Sequence, residues 1–327
     1  MMPAFSYIQP GSLEEASAAL QEGDAHVLAG GSDLLGCLRE AIFPAQKLVS
    51  LSGLKGDLTG ISRTAAGGLR IGALTTVAGI AHDPVVNAEY PGLARAASEV
   101  ASPQLRNQGT LGGNLCQKPR CWYYRGDFDC LRKGRGRCFA VTGENAFHCI
   151  FGGKYCFIVH PSDMAPSLAA FQAEVRISGP GGERRLPVSE LHVPPADNPT
   201  RETYLEPGEI ITAVELPPVS ASTYSSYRKI RARKAWDFAL AGVALVMNFQ
   251  ESRVKSARVY LSGAAPVPWR TEAVEDILRG QRLDARIIDK ASEAVVAGAQ
   301  PLSQNAFKLP LLKGTIREEL EKARRRR

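Results

Sequence analysis

Val27-Leu28-Ala29-Gly30-Gly31-Ser32-Asp33-Leu34-Leu35 is the stretch on which the fold turns. Residues 25–29 read as a strand that runs straight into two adjacent glycines, and residues 34–41 resume as a helix-like segment. Adjacent glycines let successive backbone N–H groups face the same way, and a helix start adds N–H groups of its own. A strand, glycine loop, helix unit is therefore a nest for an anion such as a diphosphate. Just upstream, residues 12–22 read as a short helix opened by the Ser12 and Glu15 capping box.

A second glycine cluster, Gln104-Leu105-Arg106-Asn107-Gln108-Gly109-Thr110-Leu111-Gly112-Gly113-Asn114, follows a strand expected over 69–74 and a helix over 92–101. Neither cluster has G-x-G-x-x-G spacing and no Walker lysine follows, so a standard dinucleotide fold or a P-loop is disfavoured. Taken singly, each loop reads equally well as a tight turn. Beyond them, residues 164–171 read as a buried helix headed by His160-Pro161-Ser162-Asp163, with Asp163 either an N-cap or a polar anchor for a ligand. Strands over 175–177 and 209–215 lead to Pro217-Pro218, where a domain boundary is expected. The remainder carries strands over 224–230, 238–249 and 256–262, then helices over 271–279, 285–297 and 313–322. Strands before helices suggest an α+β unit with its sheet covered on one face.

With 327 residues, 44% hydrophobic and 22% charged, the chain is long enough for two or three packed units, and disorder is excluded. No window approaches the roughly eighteen uninterrupted apolar residues of a membrane helix. The N-terminus has neither a basic nor an apolar signal region, so a reducing cytoplasm is expected. The net charge of +7 sits partly in the tail Arg324 to Arg327, read as a solvated end rather than a nucleic-acid arm. Another part lies in Arg228, Lys229, Arg231, Arg233 and Lys234, where cations on a strand would face a bound polyanion. His148 and His160 read as structural, because no nucleophile or carboxylate accompanies them.

Six of the seven cysteines, Cys116, Cys121, Cys130, Cys138, Cys149 and Cys156, crowd into one stretch just after the second glycine loop. That stretch is charged, glycine-containing and without hydrophobic periodicity, so it cannot bury a core of its own and a crosslink must hold it. Thiolates in a reducing compartment point to zinc or an iron–sulfur cluster, and wide, unequal gaps without C-x-x-C knuckles favour the cluster. Cys37, isolated, reads as a buried small hydrophobe.

Taken together, VLAGGSDLL (27–35), QLRNQGTLGGNL (104–115), HPSDMAPSLAAF (160–171) and YRKIRARKAWDFALAGVAL (227–245) resemble the FAD-binding subunit of the molybdenum hydroxylases, the xanthine dehydrogenase and aldehyde oxidoreductase family. LSGAAPVPWR (261–270) and NAFKLPLLKGTI (305–316) extend the resemblance over essentially the whole chain. The resemblance implies an α+β protein: a two-subdomain FAD-binding fold of the vanillyl-alcohol oxidase type over 1–218, split near residue 55, and a smaller C-terminal α+β domain over 219–327. It implies that His26, Val27, Leu28, Ala29, Gly30, Gly31, Ser32, Asp33 and Leu34 wrap the FAD diphosphate. Asn107, Gly109, Thr110, Gly112, Gly113 and Asn114 would close over its other side and the ribityl chain. Asp163 would contact the polar end of the flavin, and Lys229 would approach the isoalloxazine. Trp236 lies where relatives often place a tyrosine near the ring.

The cysteine-rich insert at about 115–157 resembles the 4Fe-4S loop of two branches, the PaoABC-type aldehyde oxidoreductase and 4-hydroxybenzoyl-CoA reductase. The implied ligands are Cys121, Cys130, Cys138 and Cys156, spaced C-x8-C-x7-C-x17-C. The short first gap and long last gap resemble the aldehyde oxidoreductase branch, whereas Arg120-Cys121-Trp122-Tyr123-Tyr124 is reminiscent of the reductase; Cys116 and Cys149 stand outside the matched set. The implied partners are a large molybdenum-cofactor subunit, a small 2Fe-2S subunit and an external electron acceptor, with no nucleic acid and no membrane span. A partner with a twin-arginine signal would carry the complex to the periplasm. A stand-alone flavoprotein reductase with a structural zinc loop is the competing expectation. In either case the insert is expected to be a loop grafted on a preformed scaffold.

Overall fold

In the computed structural model, which describes residues 2–234 and 236–326, the chain builds three sheets in succession. The first is parallel, with β1 (Ser6–Ile8) and β2 (Ala25–Leu28) on either side of β3 (Lys47–Ser50). Parallel neighbours need a crossover, and the helix Leu13–Leu20 belongs to the first of them. The Ser12 hydroxyl caps it by accepting the Glu15 N–H, but the Glu15 carboxylate accepts the N–H of Gly11 rather than that of Ser12, so the expected capping box is reciprocal over one residue more.

The second sheet is antiparallel in the order β4-β5-β8-β6-β7. It comprises β4 (Ile61–Arg63), β5 (Leu69–Gly72), β6 (Glu174–Gly179), β7 (Gly182–Pro187) and β8 (Ile210–Leu216). The helices between residues 77 and 170, the second glycine cluster and the cysteine-rich stretch are all inserted between β5 and β6, which both pair with β8. Strands β1, β3, β4 and β7 lie outside the expected set. They are three to six residues long, and β7 (GERRLP) is an edge strand whose charged side chains hide it from a search for apolar runs.

The third sheet is antiparallel, with β9 (Thr223–Ile230), β10 (Ala241–Gln250), β11 (Arg253–Ser262) and β12 (Trp269–Arg270). Alternate residues of β10 explain its packing. Val243, Leu245 and Met247 join Leu312, Ile316 and Leu320 of the last helix, whereas Ala244 and Val246 join Leu168 and Ala169 of the helix Met164–Ala170. The sheet is thus covered on both faces, not on one as expected, which is why β10 is an almost unbroken apolar run. The last helix, Lys308–Arg325, begins five residues before the expected 313. Pro310 lies in its first turn, where a missing N–H costs nothing.

Candidate functional site

The two glycine loops touch. A Cβ built on Gly30 would overlap the carbonyl oxygen of Gln108, and the Gln108 side-chain amide donates to the carbonyl of Gly30 at 3.0 Å. Gly31 has φ +70, a left-handed conformation that a side chain would strain. Between the loops and the third sheet lies a cavity of about 790 Å³, within the range of cofactor sites. Of the expected residues, His26, Val27, Ala29 to Leu34, Gly109, Thr110, Gly112, Gly113, Asn114, Asp163 and Lys229 line it. Leu28 does not; it packs with Leu38, Ala45 and Leu48. Asn107 does not either, and it is exposed on the short helix Pro103–Gln108. A nest that excludes side chains, a cavity of this size and a polar far end fit an FAD.

The far end is a buried network. Lys229 Nζ donates to Asp163 Oδ2 at 2.7 Å and to the Glu99 carbonyl at 3.1 Å, and Tyr227 OH donates to Asp163 Oδ1 at 2.7 Å. Burial raises the Asp163 carboxyl above the usual range, although Lys229 and Tyr227 pull the other way. Asp163 makes no capping bond with its side chain; Ser162 does that, accepting the Ala165 N–H at 3.0 Å. The N-cap reading of Asp163 therefore does not match the geometry; its carboxylate goes to Lys229 and Tyr227 at the cavity wall. The basic run is mostly spent on carboxylates: Arg231 bonds Glu99 at 2.8 Å and Arg228 pairs with Glu318 at 3.3 Å. Only Lys229 and Arg233 of that run line the cavity, beside Trp236, which is 63% exposed at φ +53, and Phe238.

The cysteine-rich insert is no appendage. Asp33, in the first glycine loop, turns its carboxylate to it, accepts from Arg125 and from the Lys118 N–H, both at 2.7 Å, and forms an ion pair with Arg120 at 2.9 Å. Arg132 reaches Glu202 at 3.1 Å, and Lys118 pairs with the same carboxylate. On the other side Asn145 exchanges bonds with Gln304 at 3.1 and 2.9 Å, and the Ile150 N–H donates to the Ala264 carbonyl at 2.8 Å. As expected the insert buries no core of its own, but it carries a partly exposed aromatic group. Tyr123, Phe128 and Phe139 pack with ring centroids 5.1 to 5.9 Å apart, and Trp122, Phe147 and His148 extend the group. Aromatic residues at irregular spacing leave no periodic signal.

Within the insert, Cys138 and Cys156 act on one another, which lowers the Cys138 thiol and pushes Cys156 up. The charge of Cys138 also acts on Cys121 and Cys130, so the four expected ligands lie in one electrostatic neighbourhood. Cys116 and Cys149 are driven to about 12 by burial. Cys37 is fully buried, as expected, and packs against Tyr124, Cys130 and Cys121. Among the described residues no group of three or more His, Cys, Asp or Glu is arranged to hold a single metal ion.

The family model described as the FAD binding domain in molybdopterin dehydrogenase matches residues 3–219, and that of the CO dehydrogenase flavoprotein C-terminal domain matches 225–319. The chain belongs to the FAD-binding subunits of the molybdenum hydroxylases. It is 37% identical to the aldehyde oxidoreductase FAD-binding subunit PaoB of Escherichia coli over 99% of both chains, and 28% identical to the carbon monoxide dehydrogenase medium chain of Hydrogenophaga pseudoflava over 91% of this chain and 88% of that one. Among solved structures, the Hydrogenophaga carbon monoxide dehydrogenase superposes with a TM-score of 0.77 at 28% identity, covering 99% of both chains. Quinoline 2-oxidoreductase of Pseudomonas putida 86 gives 0.77 at 26%, covering 99% and 98%.

As an FAD-binding subunit, the chain is part of an oxidoreductase, and its α+β class holds. No helix among the described residues is long and apolar enough to cross a membrane. Glu99, Tyr227, Arg125 and Gln108 escaped the sequence reading. Each acts through a neighbour distant in sequence, so only Gln108, inside a glycine cluster, carried any signal.

Proposed function

We propose that this subunit carries FAD and one 4Fe-4S cluster and passes electrons from the 2Fe-2S clusters of a small partner to an external acceptor. A large molybdenum-cofactor partner would select the substrate, an aldehyde. The observation that carries the reading is the junction at Asp33: one carboxylate in the flavin loop holds the segment around Cys121, so flavin site and cysteine cluster form one body. Identity of 37% with PaoB across both full lengths supports aldehyde oxidation.

In the flavin site Gly30, Gly31 and Ser32 would present backbone N–H groups to the diphosphate, and Gly109 to Asn114 would close over it. Asp163 and Lys229 hold a fixed ion pair at the polar end. FAD, when bound, supplies the conversion between two-electron and one-electron transfer. Cys121, Cys130, Cys138 and Cys156 fit a cluster by donor chemistry, as four thiols in one neighbourhood. Cys116 and Cys149 stand outside the matched ligand set. Iron, acid-labile sulfide and FAD assays on the purified protein test the reading. One FAD with about four irons per chain is expected; flavin with stoichiometric zinc and no iron would return the zinc-loop alternative.

A further inference from the structure

His148 belongs to no machinery described so far, yet it is buried with its Nε2 3.3 Å from Cys121 Sγ. Its Nδ1 is buried without a hydrogen-bond partner among the described residues. A neutral imidazole carries one N–H, and placing it on Nδ1 would bury a donor with no acceptor. The tautomer that costs least carries it on Nε2, aimed at the sulfur.

The ring is held for that purpose from several sides. The His148 N–H donates to the Asn145 carbonyl at 3.0 Å, and the carbonyls of His148 and Cys149 both accept from Asn305 Nδ2 at 3.1 Å. Lys308 Nζ donates to Gly263 O at 2.6 Å and to Phe147 O at 3.4 Å. Trp122 and Tyr123 flank the imidazole at 6.0 Å. Asn305 and Lys308 are fully buried and come from the C-terminal unit, so that unit sets where the imidazole points.

We infer that His148 is a positioning residue of the Cys121 ligand, donating Nε2–H to its sulfur and thereby raising the reduction potential of the cluster. The inference rests on the reading of Cys121 as a cluster ligand. One-electron reduction adds negative charge that is shared with the thiolate sulfurs, so a donor fixed on one of them stabilises the reduced state more than the oxidised state.

The test is an EPR-monitored redox titration of the holoprotein with wild type, His148→Phe and His148→Gln, after iron and acid-labile sulfide have been counted in each. His148→Phe keeps a ring in the pocket without the donor, and its midpoint should fall; a tenfold loss of preference for the reduced state reads as about 59 mV. His148→Gln restores an N–H, and its midpoint should return towards wild type. If His148→Phe sheds iron, a glutamine variant with full iron and a near-native midpoint still supports the hydrogen bond. An unmoved midpoint in His148→Phe at full iron overturns the inference. So does a glutamine midpoint as low as that of phenylalanine, or loss of iron from both variants, which marks the histidine as packing alone. Wild-type protein without iron refutes the cluster reading instead, so the two failures are distinguishable.

Discussion

Gly30 and Lys229 show how single positions decide the flavin site. At Gly30 any side chain meets the backbone carbonyl of Gln108, which has no rotamer to yield. Gly30→Ala should therefore part the two loops and lower FAD occupancy on purification. A tenfold rise in Kd, about 1.4 kcal/mol, is the minimum expected, measured by flavin fluorescence on titrating apoprotein; unchanged affinity would show that the contact of the loops is irrelevant to binding. Lys229 poses the opposite problem, since its removal leaves Asp163 buried with Tyr227 as its remaining side-chain partner. Breaking a buried pair from one side costs about 3–5 kcal/mol. Lys229→Met should lose stability on that scale in chemical denaturation of the apoprotein, and Asp163→Asn, which keeps an acceptor, should lose less.

At the scale of elements the insert is the informative case. Its sequence revealed the cysteines because they are rare and crowded, but not its anchoring, because Asp33 to Arg125 and Asn145 to Gln304 are contacts across long stretches of chain. The aromatic group of Tyr123, Phe128 and Phe139 left no periodic signal either. The glycine loops, by contrast, were legible because their conformational demand is local. Anchoring has a consequence for cofactor loading. Cys130→Ser removes one thiol and leaves the Asp33 junction, so it should lose iron and keep FAD. Asp33→Ala strips Arg125, Arg120 and the Lys118 N–H of their shared acceptor and should lower FAD and iron together, by absorbance and metal analysis. Loss of FAD with iron at wild-type level would show that the junction carries no coupling.

For the whole molecule, burial of neutral histidines sets an acid limit. Strands β2, β5, β6 and β8 to β11 and the helix Met164–Ala170 were legible from the sequence, but nothing in it brings His160 beside His192, whose rings meet edge to face at 4.0 Å in the interior. His192 Nε2 bonds the Leu115 carbonyl at 3.0 Å, while its Nδ1 and both His160 ring nitrogens have no partner among the described residues. Protonation would bury a charge with no acceptor for its new N–H. Burial accordingly pulls His192 from 6.5 to about 4 and His160 well below its ordinary value. Both folded-state values lie below the unfolded value, so between about 6.5 and 4 the unfolded chain binds protons that the native state refuses, and stability falls as pH falls through that window. For His192 alone, 2.5 units at 1.36 kcal/mol each come to roughly 3 kcal/mol. Urea midpoints should therefore drop between about pH 7 and pH 4.5. His192→Gln keeps a donor for Leu115 O and cannot titrate, so it should flatten that drop; a variant with the full wild-type pH dependence would place the acid-sensitive group elsewhere.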